Sequence, residues 1–250
     1  LQGLAVSPVA DAASGIDQVV VSPTGSAAAL YAREAARIQV LAGLPGAPRV
    51  SWELGLPAGL SAMAVSDEGS ALLAATGDGE RSQVYLLTPE EGARYLVSVA
   101  GPVGLAFLVN SGDAVLASGL RNEVFMVRDV KGAAEIVPLA DGRHGVSRPV
   151  AVAASQDNRR VFIANSEPGG VLSLDLESGE AVVADCPCTP TALDRISGSV
   201  FRLNGASPAP LWLFEGSSPG PRVVFVPAEG ALAGPGPDAV ATPEAKGGGQ

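Results

Sequence analysis

The chain contains one histidine, His144, and histidine is the side chain that most often acts as a general acid or base near neutral pH. It lies in the segment DGRHGVSRP (141–149), between Arg143 and Arg148 and outside any long apolar run. A single histidine also excludes a zinc site built from several histidines. We therefore expect His144 to be a solvated loop residue rather than a catalytic one.

Two cysteines, Cys186 and Cys188, form the sequence C-P-C. A structural zinc ion would need two further Cys or His ligands, and the chain offers only His144. The remaining alternatives are two free thiols or, in an oxidising compartment, a strained disulfide between the two residues. Because the chain has no other cysteine to pair with, we favour the disulfide.

The segment GSSPG (216–220) matches the G-x-S-x-G nucleophile elbow, with Ser218 at the nucleophile position. That motif needs a sharp strand-to-helix turn, and no helical pattern follows here, so we predict an ordinary hairpin turn. The acidic turns Asp67-Glu68-Gly69 and Asp78-Gly79-Glu80 lack the alternating ligand spacing of a calcium loop. Phosphate-binding and dinucleotide-binding motifs are also missing from the sequence, so we expect no metal and no cofactor.

A repeat positions these residues. Five units align by a polar turn between two apolar segments, and the first residue of the turn recurs at intervals of 44, 44, 45 and 42 positions. These anchor residues are Ser22, Ser66, Asn110, Ser155 and Ser197. A period in the forties with β-type segments is typical of propeller blades. The turns SPTG, SDEG, NSGD and SQDN contain the residue types that tight hairpins favour.

Each unit continues with a third and a fourth apolar segment, for example VLSLD (171–175) and AVVAD (181–185) in unit four. Four antiparallel strands in each of five units predict an all-β fold, a β-propeller of four-stranded blades over residues 16–228. Five units leave two alternatives, a closed five-bladed ring or part of a larger ring. Residues 27–41 contain good helix formers, but the other units predict strand, loop and strand there.

The two ends of the chain fall outside the repeat. Residues 1–15 are apolar but out of phase, and we expect an N-terminal extension that supplies a closing strand. Residues 229–250 are rich in Gly, Pro and Ala without periodicity, which predicts a disordered tail. Because Leu1 follows neither an initiator Met nor a signal-peptide pattern, we expect a processed or excerpted piece of a longer product.

Unit four carries a family resemblance. Its segment VFIANSEPGGVLSLDLESGEAVV (161–183) resembles the repeat of the YVTN propeller family, which includes YncE-like proteins. VFIAN stands at the namesake positions, and Asp175 with the turn Ser178-Gly179 stands where the family has its Asp and its turn. The resemblance implies a bacterial propeller, secreted or periplasmic, of a family whose rings usually have more than five blades.

The formal net charge is −10, and the 16 Lys and Arg residues are scattered through the chain. Nucleic-acid binding requires clustered basic residues, so we exclude it. The same charge gives no attraction to anionic lipid surfaces, and no apolar run reaches about 18 residues, so we expect no membrane insertion. With 47% hydrophobic residues the chain can bury a large core. We expect a monomer.

The topology of a propeller sorts the loops onto two rims. Loops between strands two and three, and links from strand four to the next strand one, lie on the same rim. We predict that this rim binds the ligand, because it has the longer and more varied loops. The expected binding residues are Asp78, Arg81, Arg121, Asn122, Arg143, His144, Arg148 and Asn165.

The predicted function is a non-enzymatic binding scaffold for a protein or small-molecule ligand. The strand-one positions that should line the channel are almost all Ala, Val, Ser and Leu, which argues against an active site there. A lactonase-like hydrolase is the first alternative, since some lactonases resemble this family in fold. A structural segment of a larger secreted multidomain protein is the second.

Overall fold

The computed structural model describes residues 9–56, 59–77, 79–205, 210–217 and 220–228. Within these ranges twenty strands form five four-stranded antiparallel sheets, and in each sheet the strands lie side by side in chain order. The sheets are the blades of a five-bladed β-propeller, which confirms the fold predicted from the repeat. We number the blades I to V from the N-terminus. No helix in the described ranges is long and apolar enough to cross a membrane.

Each blade contains four consecutive strands. Blade I contains β1 (Gln18–Val21), β2 (Ala27–Ala32), β3 (Arg37–Ala42) and β4 (Arg49–Gly55). Blade II contains β5 (Leu60–Val65), β6 (Leu72–Gly77), β7 (Arg81–Thr88) and β8 (Gly92–Ala100). Blade III contains β9 (Val103–Phe107), β10 (Ala114–Ser118), β11 (Glu123–Arg128) and β12 (Glu135–Ala140). Blade IV contains β13 (Pro149–Ala154), β14 (Arg160–Asn165), β15 (Gly170–Asp175) and β16 (Ala181–Asp185), and blade V contains β17 (Asp194–Ser197), β18 (Val200–Arg202), β19 (Leu211–Glu215) and β20 (Arg222–Val226).

The polar turns of the repeat join the first and second strands of the blades, as predicted. Asn110 and Asn158 adopt φ values of 47° and 56° in these turns, and Gly69 adopts 67°. This left-handed region is unfavourable for most side chains but accessible to Asn and Gly. The turn sequences therefore fit the backbone geometry that the hairpins require.

Buried apolar side chains fill the spaces between consecutive blades. Successive residues of a strand point to opposite faces of its sheet, so a blade can pack against the blades on both of its sides. Tyr31 and Leu87 lie in the cluster between blades I and II, and Leu73 and Phe107 in the cluster between II and III. Similar clusters join III to IV and IV to V, the latter around Phe162, whose ring lies 5.0 Å from that of Phe214.

The junction of blade V with blade I is different, and we call it the V–I seam. None of these four clusters of described residues joins the two blades. Val20 packs towards blade II, so Val19 and Val21 point to the opposite face of blade I, where they are 55% and 60% exposed. On blade V, Ile196 is 58% exposed. Apolar side chains at this seam thus remain accessible.

The predicted loop between β2 and β3 is present as a turn, so the helical alternative for residues 27–41 is wrong. Residues 9–15 form a turn and a bend without a strand, and Gln39 holds them on blade I by accepting from the Ala13 N–H at 2.6 Å. The remainder of the predicted closing strand, residues 1–8, and the predicted tail lie outside the described residues. Both stay predictions.

Candidate functional site

The loops between second and third strands and the links between blades form one rim, which we call the upper rim. The first-to-second and third-to-fourth hairpins form the lower rim. Of the predicted binding residues, Asp78 lies outside the described residues. The others are all on the upper rim: Arg81, Arg121, Asn122, Arg143, His144, Arg148 and Asn165. Their role in binding stays a prediction.

The link from blade III to blade IV contains a short 3-10 helix, η1 (Gly142–His144), capped by Asp141. The Asp141 carboxylate accepts from the Arg143 N–H at 2.9 Å, and the Asp141 N–H donates to His144 Nδ1 at 3.2 Å. The Arg143 guanidinium also donates to Asp141 Oδ2 at 2.7 Å. These bonds from Arg143 hold the pKa of Asp141 well below its usual range and raise that of Arg143. His144, 40% exposed in its side chain, therefore helps to order the link.

Asn165 holds the same link through two hydrogen bonds to the backbone of the link. Its Oδ1 accepts from the Ser147 N–H at 3.0 Å, and its Nδ2 donates to the Gly145 carbonyl at 2.8 Å. The side chain is almost fully buried, with 3% of the residue exposed. Asn165 is thus a positioning residue for the link, because a ligand on the rim could reach little of it.

Arg148 joins blades III and IV on this rim. The Arg148 N–H donates to Asn122 Oδ1 at 2.7 Å, and the Arg148 guanidinium donates to Glu167 Oε1 at 2.8 Å. Arg148 itself has a φ of 44°, a conformation that needs such surrounding support in a residue with a Cβ. The two bonds fix the direction of an exposed cation.

Arg81 and Arg121 come from different blades and line one groove between blades II and III, with a volume of about 310 Å³. Glu123 lies in the same groove. The remaining walls are mainly apolar and comprise Val97, Val99, Leu116, Phe125 and Ile136. Of the residues singled out in the sequence, these two arginines are therefore brought together around a concave surface.

The link between blades II and III beside this groove is only Gly101 and Pro102. The Gly101 N–H donates to the Glu80 carbonyl at 2.7 Å, and the Gly119 N–H donates to the Pro102 carbonyl at 2.9 Å. A Cβ on Gly101, whose φ is 79°, would overlap Leu120. The short link thus draws the two arginine-bearing loops together and leaves Leu120 54% exposed on the rim.

A disulfide joins Cys186 to Cys188 at the start of the link from blade IV to blade V. The Cys186 N–H donates to the Gly169 carbonyl at 3.1 Å. A Cβ on Gly169 would overlap the Cys188 carbonyl oxygen, so only glycine fits at this contact. The disulfide and the loop after β14 therefore pack directly against each other.

The remaining candidates from the sequence are the nucleophile-elbow serine and the acidic turns. Ser218 lies outside the described residues. Among the residues that the structure describes, no three His, Cys, Asp or Glu side chains are grouped to hold a metal ion. Asp67 is 9% exposed, and its carboxylate accepts from the backbone N–H of Thr24 and of Asn110, each at 2.7 Å. Asp67 therefore connects three blades at the lower rim.

The first strands of the five blades line a central channel with a volume of about 890 Å³. The charged side chains in its described lining are Asp194, Arg195 and Arg202, all from blade V. Asp194 and Arg202 pair with each other at 2.6 Å. The channel wall is otherwise made mostly of small and apolar residues, as the sequence predicted.

Arg195 has no carboxylate partner among the described residues. Its guanidinium donates to the carbonyls of Ala154 and Gly198 and lies 4.7 Å from the centre of the Phe201 ring. Burial lowers the pKa of Arg195, and the negative charge of Asp67 offsets part of this effect. Arg195 was missing from the sequence-based set, although Asp194 and Arg195 are the only charged residues in the five first strands.

No family model and no curated protein matches the sequence. Solved structures do match it. The chain is similar to a functionally unknown protein from Desulfotomaculum acetoxidans, with 14% identity, a TM-score of 0.60, and coverage of 84% of this chain and 68% of that one. The chain shares the β-propeller fold.

Two further solved structures also match this chain. Streptogramin B lyase is 13% identical, with a TM-score of 0.58, and the match covers 86% of this chain and 70% of the lyase. The Swd1 β-propeller domain from Myceliophteria thermophila is 16% identical, with a TM-score of 0.58. The match covers 83% of this chain and 68% of that domain. At such identities the likeness shows the fold alone.

Proposed function

We propose that this propeller is a non-enzymatic binding domain that holds a protein partner on the upper rim of blades II to IV. The observation that carries the proposal is the pair Leu120 and Arg121 on this rim. Both are exposed, and Arg121 lines the groove that also contains Arg81. Arginine is enriched at interface hot spots, and the apolar groove beside Arg121 could bury an anchor residue of the partner.

Preorganisation supports the same surface. The link that presents Arg143 and Arg148 is held by the Asp141 cap and by the buried side chain of Asn165. Asn122 and Glu167 hold Arg148 between two blades. A rim that is already ordered loses less conformational entropy when it binds a partner.

The channel supports binding over hydrolysis. Asp194 is engaged with Arg202, and the histidine that could act as a base lies on the upper rim in the capped link rather than in the channel. The solved neighbours include a lyase and a domain named only as a propeller, so the fold alone favours neither class. The lactonase-like alternative therefore rests on fold analogy alone.

The proposal also covers the cellular compartment and the oligomeric state of the protein. The VFIAN segment of blade IV (161–165) resembles the YVTN repeat of YncE-like propellers, and we infer a bacterial, secreted or periplasmic monomer. The disulfide between Cys186 and Cys188 supports an oxidising compartment, because disulfides persist there and are rare in the cytosol. Fractionation of cells that make the protein, and light scattering of the purified chain, test the location and the monomer.

A site-specific photo-crosslinker tests the rim. We expect p-benzoylphenylalanine in place of Leu120 to give a discrete adduct in cells that make the protein. The same group in place of Glu177, exposed on a lower-rim hairpin, is the matched control and should give none. The adduct at position 120 should disappear when Arg121→Glu and Arg148→Glu are combined, because both cations are then reversed.

Two outcomes would count against the rim. Equal adducts at positions 120 and 177 would indicate non-specific contact, and an adduct that survives the double charge reversal would place the partner elsewhere. Thermal melting of each variant shows whether the exposed substitutions leave the fold intact, which is expected for surface positions.

A further inference from the structure

We propose that the central channel binds a small amphiphile whose apolar body lies against the V–I seam and whose single carboxylate pairs with Arg195. The site is separate from the upper rim. It goes beyond the proposed binding function and does not depend on it.

Exposed apolar side chains in the channel provide the first argument. Val19 and Val21 of blade I and Ile196 of blade V all line it, and each is more than half exposed. At the other four junctions the corresponding space between blades is filled by a buried cluster. Concave space of about 890 Å³ with accessible apolar walls lies within the range of small-molecule sites.

The charge in the channel provides the second argument. Arg195 is partly buried, and its hydrogen-bond partners are two backbone carbonyls. A guanidinium has five N–H donors, so donors remain for a bound anion. The carboxylate of Asp194, the adjacent residue, is engaged by Arg202. One cation without a carboxylate partner therefore lies in the lining of the same channel, where its guanidinium packs on Phe201 on the side of blade V that faces blade IV.

The exposed apolar side chains and the unpaired Arg195 together favour one class of ligand. A carboxylate would supply the opposite charge that Arg195 lacks, and charge-assisted hydrogen bonds are the strong ones in such sites. A cationic amphiphile would be repelled, and a neutral one would gain only from apolar contact. Asp67, the nearby acid, does not change this preference, because both of its carboxylate oxygens already accept from Thr24 and Asn110.

The test uses three probes with a similar linear hydrocarbon chain and different head groups: decanoate, decanamide and decyltrimethylammonium. Each competes with N-phenyl-1-naphthylamine, a neutral dye that fluoresces in apolar sites. We expect decanoate to displace the dye at a concentration about tenfold lower than decanamide, since a hydrogen bond to a charged group is worth at least that ratio. The cationic probe should be the weakest.

Variants assign the preference to residues. Arg195→Gln should reduce the advantage of decanoate over decanamide to less than about twofold, and Arg195→Lys should retain part of it. Arg128→Gln, at an exposed arginine on β11, is the matched control and should leave the advantage unchanged. Far-UV circular dichroism and thermal melting report whether each variant is folded.

A second pair tests the apolar wall and does not depend on the tolerance of Arg195. Ile196→Ser should weaken decanoate and decanamide alike by roughly tenfold, because the buried hydrocarbon contact is lost. Val183→Ser removes a valine that is 47% exposed on β16 and should change neither. Equal binding of decanoate and decanamide to the unaltered protein, or equal losses with the two serine variants, would overturn the proposal.

Discussion

Asn158 clamps Val109 across the junction of blades III and IV: its Oδ1 accepts from the Val109 N–H and its Nδ2 donates to the Val109 carbonyl, both at 2.8 Å. The two residues belong to corresponding hairpin regions of neighbouring blades. Asp67 makes a related connection to Thr24 and Asn110. The lower rim is thus held together by side chains in the same turns that define the repeat.

Replacing Asn158 with glycine should destabilise the protein. Glycine keeps the φ of 56° accessible, so the variant isolates the loss of the two clamping bonds. We expect the free energy of unfolding in urea to fall by about 1–2 kcal/mol beyond the cost of a glycine. Asn110→Gly, at an exposed position with a φ of 47° in the first hairpin of blade III, measures that backbone cost. Equal losses for both variants would show that the clamp contributes nothing.

Asp67 and its neighbour Glu68 should respond very differently to loss of charge. Asp67→Asn places an NH2 group against one of the backbone N–H groups that the carboxylate now accepts, so we expect a loss of about 1.5–3 kcal/mol in the free energy of unfolding. Glu68 is exposed and its carboxylate lies 3.7 Å from the Lys131 ammonium. Glu68→Gln should cost less than about 0.5 kcal/mol, since surface ion pairs contribute little. Urea denaturation of both variants checks this ranking.

Short-range pattern was enough to predict the blades. The segment AVVAD (181–185) was predicted as a strand and is β16, and VLSLD was predicted one residue short of β15. Alternation and turn composition determine such strands locally, and the period near 44 residues links them into blades. Each four-stranded sheet follows because its strands pair with their neighbours in the chain.

The site depends on contacts that no local pattern encodes. Asp67 and Glu68 are adjacent acids in one turn, yet only Asp67 is buried and accepts from the backbone of both neighbouring blades. Arg195 gains its setting from Phe201 and Ala154, which lie on a different strand and a different blade. Val19 and Val21 are apolar strand residues like many others. They are exposed because the face of blade I from which they point is not covered by a cluster of described residues with blade V. These relations arise only when the ring is assembled.

Gly169 should tolerate no side chain. A Cβ at this position would overlap the Cys188 carbonyl oxygen beside the disulfide, so Gly169→Ala must displace the link or the loop. We expect a loss of about 1–3 kcal/mol, typical of overpacking, read out as a lower urea midpoint. Gly142→Ala is the matched control on the upper rim, because a Cβ there meets open space. A smaller loss at position 169 than at 142 would contradict the close contact.

The cap at Asp141 should make the stability of the link depend on pH. Hydrogen bonds from Arg143 depress the pKa of Asp141 in the folded protein, while the unfolded value is about 3.9. The folded state therefore binds fewer protons at this group, and its stabilisation is complete above the unfolded pKa and is lost as pH falls towards the folded pKa. Asp141→Asn keeps a capping oxygen but removes the charge. We expect the difference in melting temperature between the unaltered protein and this variant to stay constant above about pH 5 and to shrink below about pH 4. A difference that grows on acidification would contradict this role of the carboxylate.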